Sequence, residues 1–209
     1  MQIIAMLTML IDHIGYIFFP KEEMWRIIGR IAFPIYAYYI VQGFIHTSSR
    51  WRYLWRLVAL AGISQVPYVL AFDTSDLNVI CTLALCLGVL MLHARFGWLG
   101  LAVGLVCGIV LLEWLEFNYG AYGLLLVLIY RYLDRKWWVV AHFALNLLSI
   151  GYGDGWLLQH FSILATVLMA YKDQLFAEFK LDRRVHSWVW RGFYPVHLAL
   201  LAFVAAWLS

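Results

Sequence analysis

The sequence predicts an all-α fold: a polytopic integral membrane bundle of about nine transmembrane helices, with the N-terminus cytoplasmic. Three observations carry this expectation. Apolar residues make up 65% of the 209-residue chain and charged residues 13%, against roughly a quarter charged in a soluble domain. The apolar residues fall in long continuous runs, with none of the two-residue alternation of a membrane barrel. The charges collect between the runs, and basic and acidic connections alternate.

The runs are Met1–Phe19, Trp25–His46, Leu57–Phe72, Leu77–His93, Gly97–Leu115, Tyr119–Leu133, Trp137–Ile150, Trp156–Tyr171 and Phe193–Leu208. A hydrocarbon core of about 30 Å takes about 20 residues of helix, so nine runs use almost the whole chain. One integral membrane domain over 1–209 is expected, with no soluble domain beside it. The first run has no basic segment before it and no small-residue cleavage site, and so reads as a span rather than a signal.

The connections set the topology. Arg50, Arg52 and Arg56 follow the second run, Arg95 the fourth, and Arg131, Arg135 and Lys136 the sixth. The stretch after the eighth carries Lys172, Lys180, Arg183, Arg184 and Arg191. The intervening connections hold Lys21 with Glu22 and Glu23, then Asp73 and Asp76, Glu113 and Glu116, and Asp154. Basic connections stay in the cytoplasm, which places the N-terminus inside and the C-terminus outside. Trp51, Trp55, Trp137, Trp138, Trp156, Trp188 and Trp190 read as an interfacial belt. The net charge of +3 is too small to suggest nucleic acid. Cys81, Cys86 and Cys107 show no metal or disulfide spacing and read as packing residues.

Few polar groups fall within the runs. Asp12 and His13 lie in the first, Arg30 and Gln42 in the second with His46 at its end, Gln65 in the third, and Asn78 at the start of the fourth. His142 and Asn146 follow in the seventh, Gln159 and His160 in the eighth, and His197 in the last. Charges in lipid need partners, and depth along opposed spans matches Asp12 with Arg30. Consecutive helical residues diverge by about 100°, so His13 faces elsewhere. That leaves His13 to either catalysis or a buried structural hydrogen bond. Gln65, Asn78 and His160 fall at compatible depth. His46, Arg50, Arg52, Arg56, Tyr194 and His197 are expected at the cytoplasmic side. Arginines there serve as anchors or as a mouth for a phosphate-bearing ligand.

The blocks IAMLTMLIDHIG, RIIGRIAFPIYAYYIVQGFIHT, RYLWRL, AGISQVPY, LNVICTLALCL and FYPVHLALL together resemble the TraX family, integral membrane proteins implicated in N-terminal acetylation of pilin. Both ends and most of the first hundred residues carry the likeness, while the middle matches only as hydrophobic spans and a GYG turn. The family is similar in outline to transmembrane acyltransferases that draw on cytosolic acyl-CoA. The resemblance implies an acetyltransferase of the bacterial cytoplasmic (inner) membrane. Acetyl-CoA would be its co-substrate, with no metal, and a peptide or small amine its acceptor. His13 occupies the family's histidine position and would act as base or as transient acetyl carrier, with Asp12 fixing the helix. Arg50, Arg52, Arg56, Tyr194 and His197 would bind the cofactor. This chain has Gln42 where the family pattern has an acidic residue before Gly43. Two other classes fit the same residues: a proton-coupled transporter, and a non-catalytic scaffold for pilus or conjugation machinery.

Overall fold

The computed structural model describes residues 1–152, 154–175 and 185–208, without the side chains of 152, 154–156 and 175. Lys180, Arg183, Arg184 and the side chains of Asp154 and Trp156 therefore lie outside the described residues. Among those described, every regular element is helical, and one isolated bridge joins Leu77 to Phe117. Four stretches are long and apolar enough to cross a bilayer: Glu23–His46, Arg50–Phe72, Val79–Trp114 and Ser187–Leu208. The remaining apolar runs form shorter helices. The chain packs as two compact units, Met1–Tyr36 with Tyr132–Ser209, and Ala37–Arg131.

The first unit is built on α1 (Gln2–Phe18) and α2 (Glu23–Gly29), which fold back on each other. The contact is backbone-close because it is made through glycine. A Cβ on Gly15 would overlap the Trp25 side chain, and one on Gly29 would overlap Asp12. After Gly29 the helix breaks at Arg30 and Ile31, then resumes as α3 (Ala32–His46). Pro34 explains the break: it has no N–H, and its ring collides with the carbonyl four residues back, here that of Arg30. The same unit holds α7 (Trp138–Ser149), a 3₁₀ stretch Asp154–Ser162, α8 (Ile163–Ala170), α9 (Lys172–Leu175) and α10 (Ser187–Leu208). Gln2 Oε1 accepts from the Val185 N–H at 2.8 Å, which sets the first turns of α1 and α10 side by side and the two helices parallel. Arg135 donates to Asp173 at 2.6 Å, and this hydrogen bond holds the exposed Asp173 carboxyl below its ordinary range.

The second unit contains α4 (Arg50–Phe72), α5 (Val79–Trp114) and α6 (Gly120–Tyr132). Ser49 caps α4, its side chain accepting from the Arg52 N–H. The helix therefore starts seven residues before the apolar run, and Arg50, Arg52 and Arg56 ride on its first two turns rather than in a loop. The stretch α5 is not one rod. Gly97 has φ 63° and ψ −148°, a conformation essentially reserved for glycine, and the chain reverses there. Cβ positions on Gly104 and Gly108 lie 3.2–3.4 Å from side chains of Val89, Leu92 and Leu85, so arm 98–114 lies along arm 79–96. Gly100, Gly104 and Gly108 make the seam, as small residues do between lipid-embedded helices. Leu99, Val103, Val106, Val110 and Trp114 stay exposed, an apolar face suited to lipid rather than water.

Chain direction then sorts the charges of this unit. Arg50, Arg52, Arg56, Arg95 and Arg131 come to one end, and Asp73, Asp76, Glu113 and Glu116 to the other. At the acidic end the Leu77 N–H donates to the Glu116 carbonyl and the Leu77 carbonyl accepts from the Asn118 N–H, while Glu113 Oε1 accepts from the Ala121 N–H at 2.8 Å, a carboxylate at the positive end of α6. In the aromatic belt, Trp51, Trp55, Trp137 and Trp188 are exposed near helix ends as expected. Two others depart. Trp138 is buried and donates to the Leu133 carbonyl at 3.0 Å, and Trp190 stacks on Tyr36, because each has an internal partner for its ring.

The hairpin seam makes a paired prediction. A Cβ on Gly100 would run into the Leu92 carbonyl, whereas one on Gly88 meets nothing within 4 Å. Gly100→Ala should destabilise the protein by about 1–3 kcal/mol, while Gly88→Ala should be neutral or stabilising by up to about 1 kcal/mol. Thermal unfolding of the detergent-purified variants reads both, and equal midpoints would remove the hairpin.

Candidate functional site

The residue types that lipid tolerates least converge in the first unit. Asp12 sits on the buried face of α1, against Gly29 of α2. Its carboxylate oxygen lies 3.0 Å from Arg26 and 4.0 Å from Arg30. The expected Asp12–Arg30 pair is present at the outer limit of ion-pair distance, and Arg26, which was not expected there, is the nearer partner. Arg26 and Arg30 are four apart on one helical face, and that spacing was the available signal for Arg26. Arg30 also donates to Gln159 Oε1 at 3.2 Å, so the guanidinium links the α1–α2 hairpin to the 3₁₀ stretch.

His13 turns away from Asp12, toward α10. Its Nδ1 lies 2.8 Å from Nε2 of His197, with the ring planes within 14° of each other. The rings meet edge to edge, as a hydrogen bond requires. The roles follow from the far end of the pair. His197 Nδ1 lies 2.6 Å from the Phe193 carbonyl, which can only accept, so this nitrogen carries the proton. In a neutral His197, Nε2 then accepts, and His13 Nδ1 donates to it. A neutral His13 so held has its lone pair on Nε2. Tyr194 stands edge-on to His13, with centroids 6.3 Å apart.

This corrects the expected position of Tyr194 and His197 at the cytoplasmic end of their span. The apolar run begins at Phe193, but the helix begins at Ser187. His197 is therefore about 15 Å along α10 by the helical rise, level with His13 on the parallel α1. Charged and aromatic residues at the membrane surface remain helical, so a hydropathy run marks the span and not the helix.

The other candidates divide between the units. His160 bonds its own Leu157 carbonyl and sets its ring against Phe143. His142 lies between Thr166 at 2.6 Å and Ser162 at 3.0 Å, and Asn146 donates to the Gln159 carbonyl at 3.1 Å. These contacts tie α7 to α8 and the 3₁₀ stretch. In the second unit Gln65 and Asn78 are bonded to each other at 2.6 Å, and each reaches backbone of the other's neighbourhood. They join α4 to the start of α5 and serve as structure. His46 bonds the Gln42 carbonyl at 2.8 Å. Arg56 Nε donates to the Arg52 carbonyl at 3.1 Å, and Arg50 lies over the Phe44 ring. Among the described residues no group of three or more His, Cys, Asp or Glu side chains could hold a metal ion. All three cysteines are free, with Cys86 buried, Cys81 half-buried and Cys107 exposed.

Helical elements throughout the described residues, four of membrane length, with a histidine pair and an aspartate–arginine cluster buried in the first unit, define a helical membrane protein with a polar centre. The TraX protein family model matches residues 1–205, and the chain belongs to that family. A Dichelobacter nodosus protein described as "Probable fimbrial assembly protein FimC, serogroup H1" is 29% identical over 231 residues, covering 96% of this chain and 92% of that one. No solved structure matches the chain.

The carboxylate cluster is open to a double-mutant cycle. Asp12→Asn and Arg26→Gln should each destabilise, and together should cost less than their sum by about 0.5–3 kcal/mol. Coupling of Asp12→Asn with Arg30→Gln should be smaller. A larger coupling to Arg30 than to Arg26, measured by unfolding in detergent, would reverse the assignment.

Proposed function

We propose that this protein is an acetyltransferase that moves an acetyl group from acetyl-CoA to an amine, with His13 as the base. The observation that carries the reading is the hydrogen-bonded pair of His13 and His197 fixed by the Phe193 carbonyl. It orients one imidazole and commits its tautomer, which is what a positioned general base needs.

In this reading His13 Nε2 takes a proton from the acceptor amine as its nitrogen attacks the thioester carbonyl. The tetrahedral centre then collapses, the carbon–sulfur bond breaks, and CoA leaves as a thiolate that regains a proton. His197 holds the ring and stabilises the imidazolium's orientation. Asp12 is engaged by Arg26 and Arg30 and has a positioning role. The two guanidinium groups are held at Asp12, the residue before His13, and would favour an oxyanion that develops on the carbonyl. Tyr194 and His197, expected at the cofactor, would in this reading lie with the reacting group in the first unit. The relative's description as a fimbrial assembly protein fits a pilin-like N-terminus as acceptor.

The finer topology belongs to the same proposal: nine spans in the bacterial inner membrane, with the N-terminus inside. The separation of charge between the two ends of the second unit supports it. So do α1 and α10: they run parallel, as the first and last of an odd number of spans must.

Radiolabelled acetyl-CoA, purified protein and a panel of peptide and small amines test the activity. His13→Ala should reduce transfer by about 10²–10⁴-fold in a protein that unfolds like wild type. His197→Leu should lose activity as well, while His197→Gln, which offers His13 an acceptor oxygen, should retain more of it. Undiminished turnover in His13→Ala would sink the catalytic assignment. A wild-type protein inert toward every amine would return the chain to the transporter or scaffold classes.

A further inference from the structure

Of the two arginines at Asp12, Arg30 is the more enclosed: 14% of its side chain is exposed, against 27% for Arg26. A guanidinium carries five N–H donors. Arg30 places one of them, on Nη1, against Gln159 Oε1 at 3.2 Å. Its Nη2 stands 4.0 Å from the Asp12 carboxylate, beyond hydrogen-bond reach. Its Nε is buried and has no hydrogen-bond partner among the described residues. Nε and Nη2 form one edge of the planar group, an edge that matches carboxylate-like oxygens. Leaving such donors unmade in a protein interior is costly.

A carboxylate is 4.0 Å away, and yet the edge does not close on it. Gln159 supplies the restraint. Its side chain is buried, and it belongs to the nine-residue 3₁₀ stretch Asp154–Ser162, where runs past three or four residues are uncommon. Residues three apart in a 3₁₀ helix lie in line, so Gln159 and Ser162 share a face. Both are tied to α7: Asn146 donates to the Gln159 carbonyl at 3.1 Å, and Ser162 Oγ lies 3.0 Å from His142 Nε2. The amide oxygen that holds Arg30 is therefore on a fixed backbone. It restrains the guanidinium and leaves its charge intact, whereas a carboxylate in its place would neutralise it.

We infer that Gln159 is a positioning residue that keeps the Nε–Nη2 edge of Arg30 off Asp12, and that this edge takes the acyl oxygen as it turns negative during transfer. The inference rests on the acetyl transfer proposed above and assigns the reacting carbonyl to one of the two guanidinium groups. As the amine nitrogen bonds to the carbonyl carbon, the C=O electron pair moves onto oxygen, and it returns as the carbon–sulfur bond breaks. A donor for that oxygen must be in place and unfilled beforehand. Arg26, 3.0 Å from the carboxylate, is engaged there, and Arg30 is the one held back.

Purified full-length protein in detergent serves two measurements. The first needs no activity. The coupling between Asp12→Asn and Arg30→Gln should grow about fivefold or more in the unfolding equilibrium constant when Gln159→Leu is added to the cycle, because Arg30 then closes on the carboxylate. The second is turnover with acetyl-CoA. Arg30→Gln should lower kcat by about 10²–10³-fold, as loss of an oxyanion donor does. Gln159→Leu should lower it about tenfold with KM for acetyl-CoA unchanged, the pattern of an interaction made only in the transition state. In an Asp12→Asn background Gln159→Leu should cost less than about twofold, since no carboxylate is left for Arg30 to close on. Gln159→Met, which removes the acceptor and keeps the side chain's length, repeats both measurements should Gln159→Leu not fold. A residue that merely braces the 3₁₀ stretch would cost the same in both backgrounds and leave the Asp12–Arg30 coupling as it is, and either result overturns the positioning role. Undiminished kcat in Arg30→Gln overturns the assignment of its edge to the acyl oxygen. A wild-type protein that acetylates no amine removes the reaction and that assignment together, and the coupling measurement alone then decides whether Gln159 withholds Arg30 from Asp12.

Discussion

A carboxylate surrounded by hydrocarbon has no water to turn to, and the layout of the first unit follows from how Asp12 is accommodated. The nearest cations are on the next helix, so α1 and α2 must approach until a guanidinium reaches it. That approach is possible only because Gly29 and Gly15 leave room for Asp12 and Trp25. The break enforced by Pro34 then places Arg30 at a helix end, where its long side chain can touch Asp12 on one side and Gln159 on the other. With Asp12 held this way, the next residue is turned out of the hairpin by the helical repeat, and it meets α10. The position of His13 is thus a geometric consequence of satisfying its neighbour.

Much of the architecture is legible in the sequence. Asp12 in an apolar run required a cation on a neighbouring helix, and the direction in which His13 would point came from the 100° step. Arg26 stands at the start of its apolar run, where a charge reads as solvated, although its i, i+4 relation to Arg30 marks one face. The pairing of His13 with His197 was hidden for a different reason. Hydropathy dates the start of a span from its first apolar residue, and α10 extends six residues earlier through a Trp-rich amphipathic segment. Depth could then be compared only after the true helix start was known.

Other features were beyond sequence in principle. Gln65 and Asn78 each read as a polar group of unknown partner. Their mutual bond depends on the angle at which α5 leaves the turn at Asp76, which no periodicity encodes. The meeting of Arg50 and Arg131 at the Phe44 ring is a lateral contact between helices. A one-dimensional depth argument can bring the two to the same end of the unit but cannot make them neighbours.

The reversal at Gly97 has a consequence for the layout of the second unit. Arms 79–96 and 98–114 form a continuous apolar segment interrupted by a single backbone conformation, so the segment returns to the end it started from only while that conformation is available. A straight rod in its place would leave Glu113 and Glu116 far from Asp73 and Asp76. The Leu77–Phe117 bridge could not then form. The end of the unit from which α6 sets out hangs on one residue without a side chain.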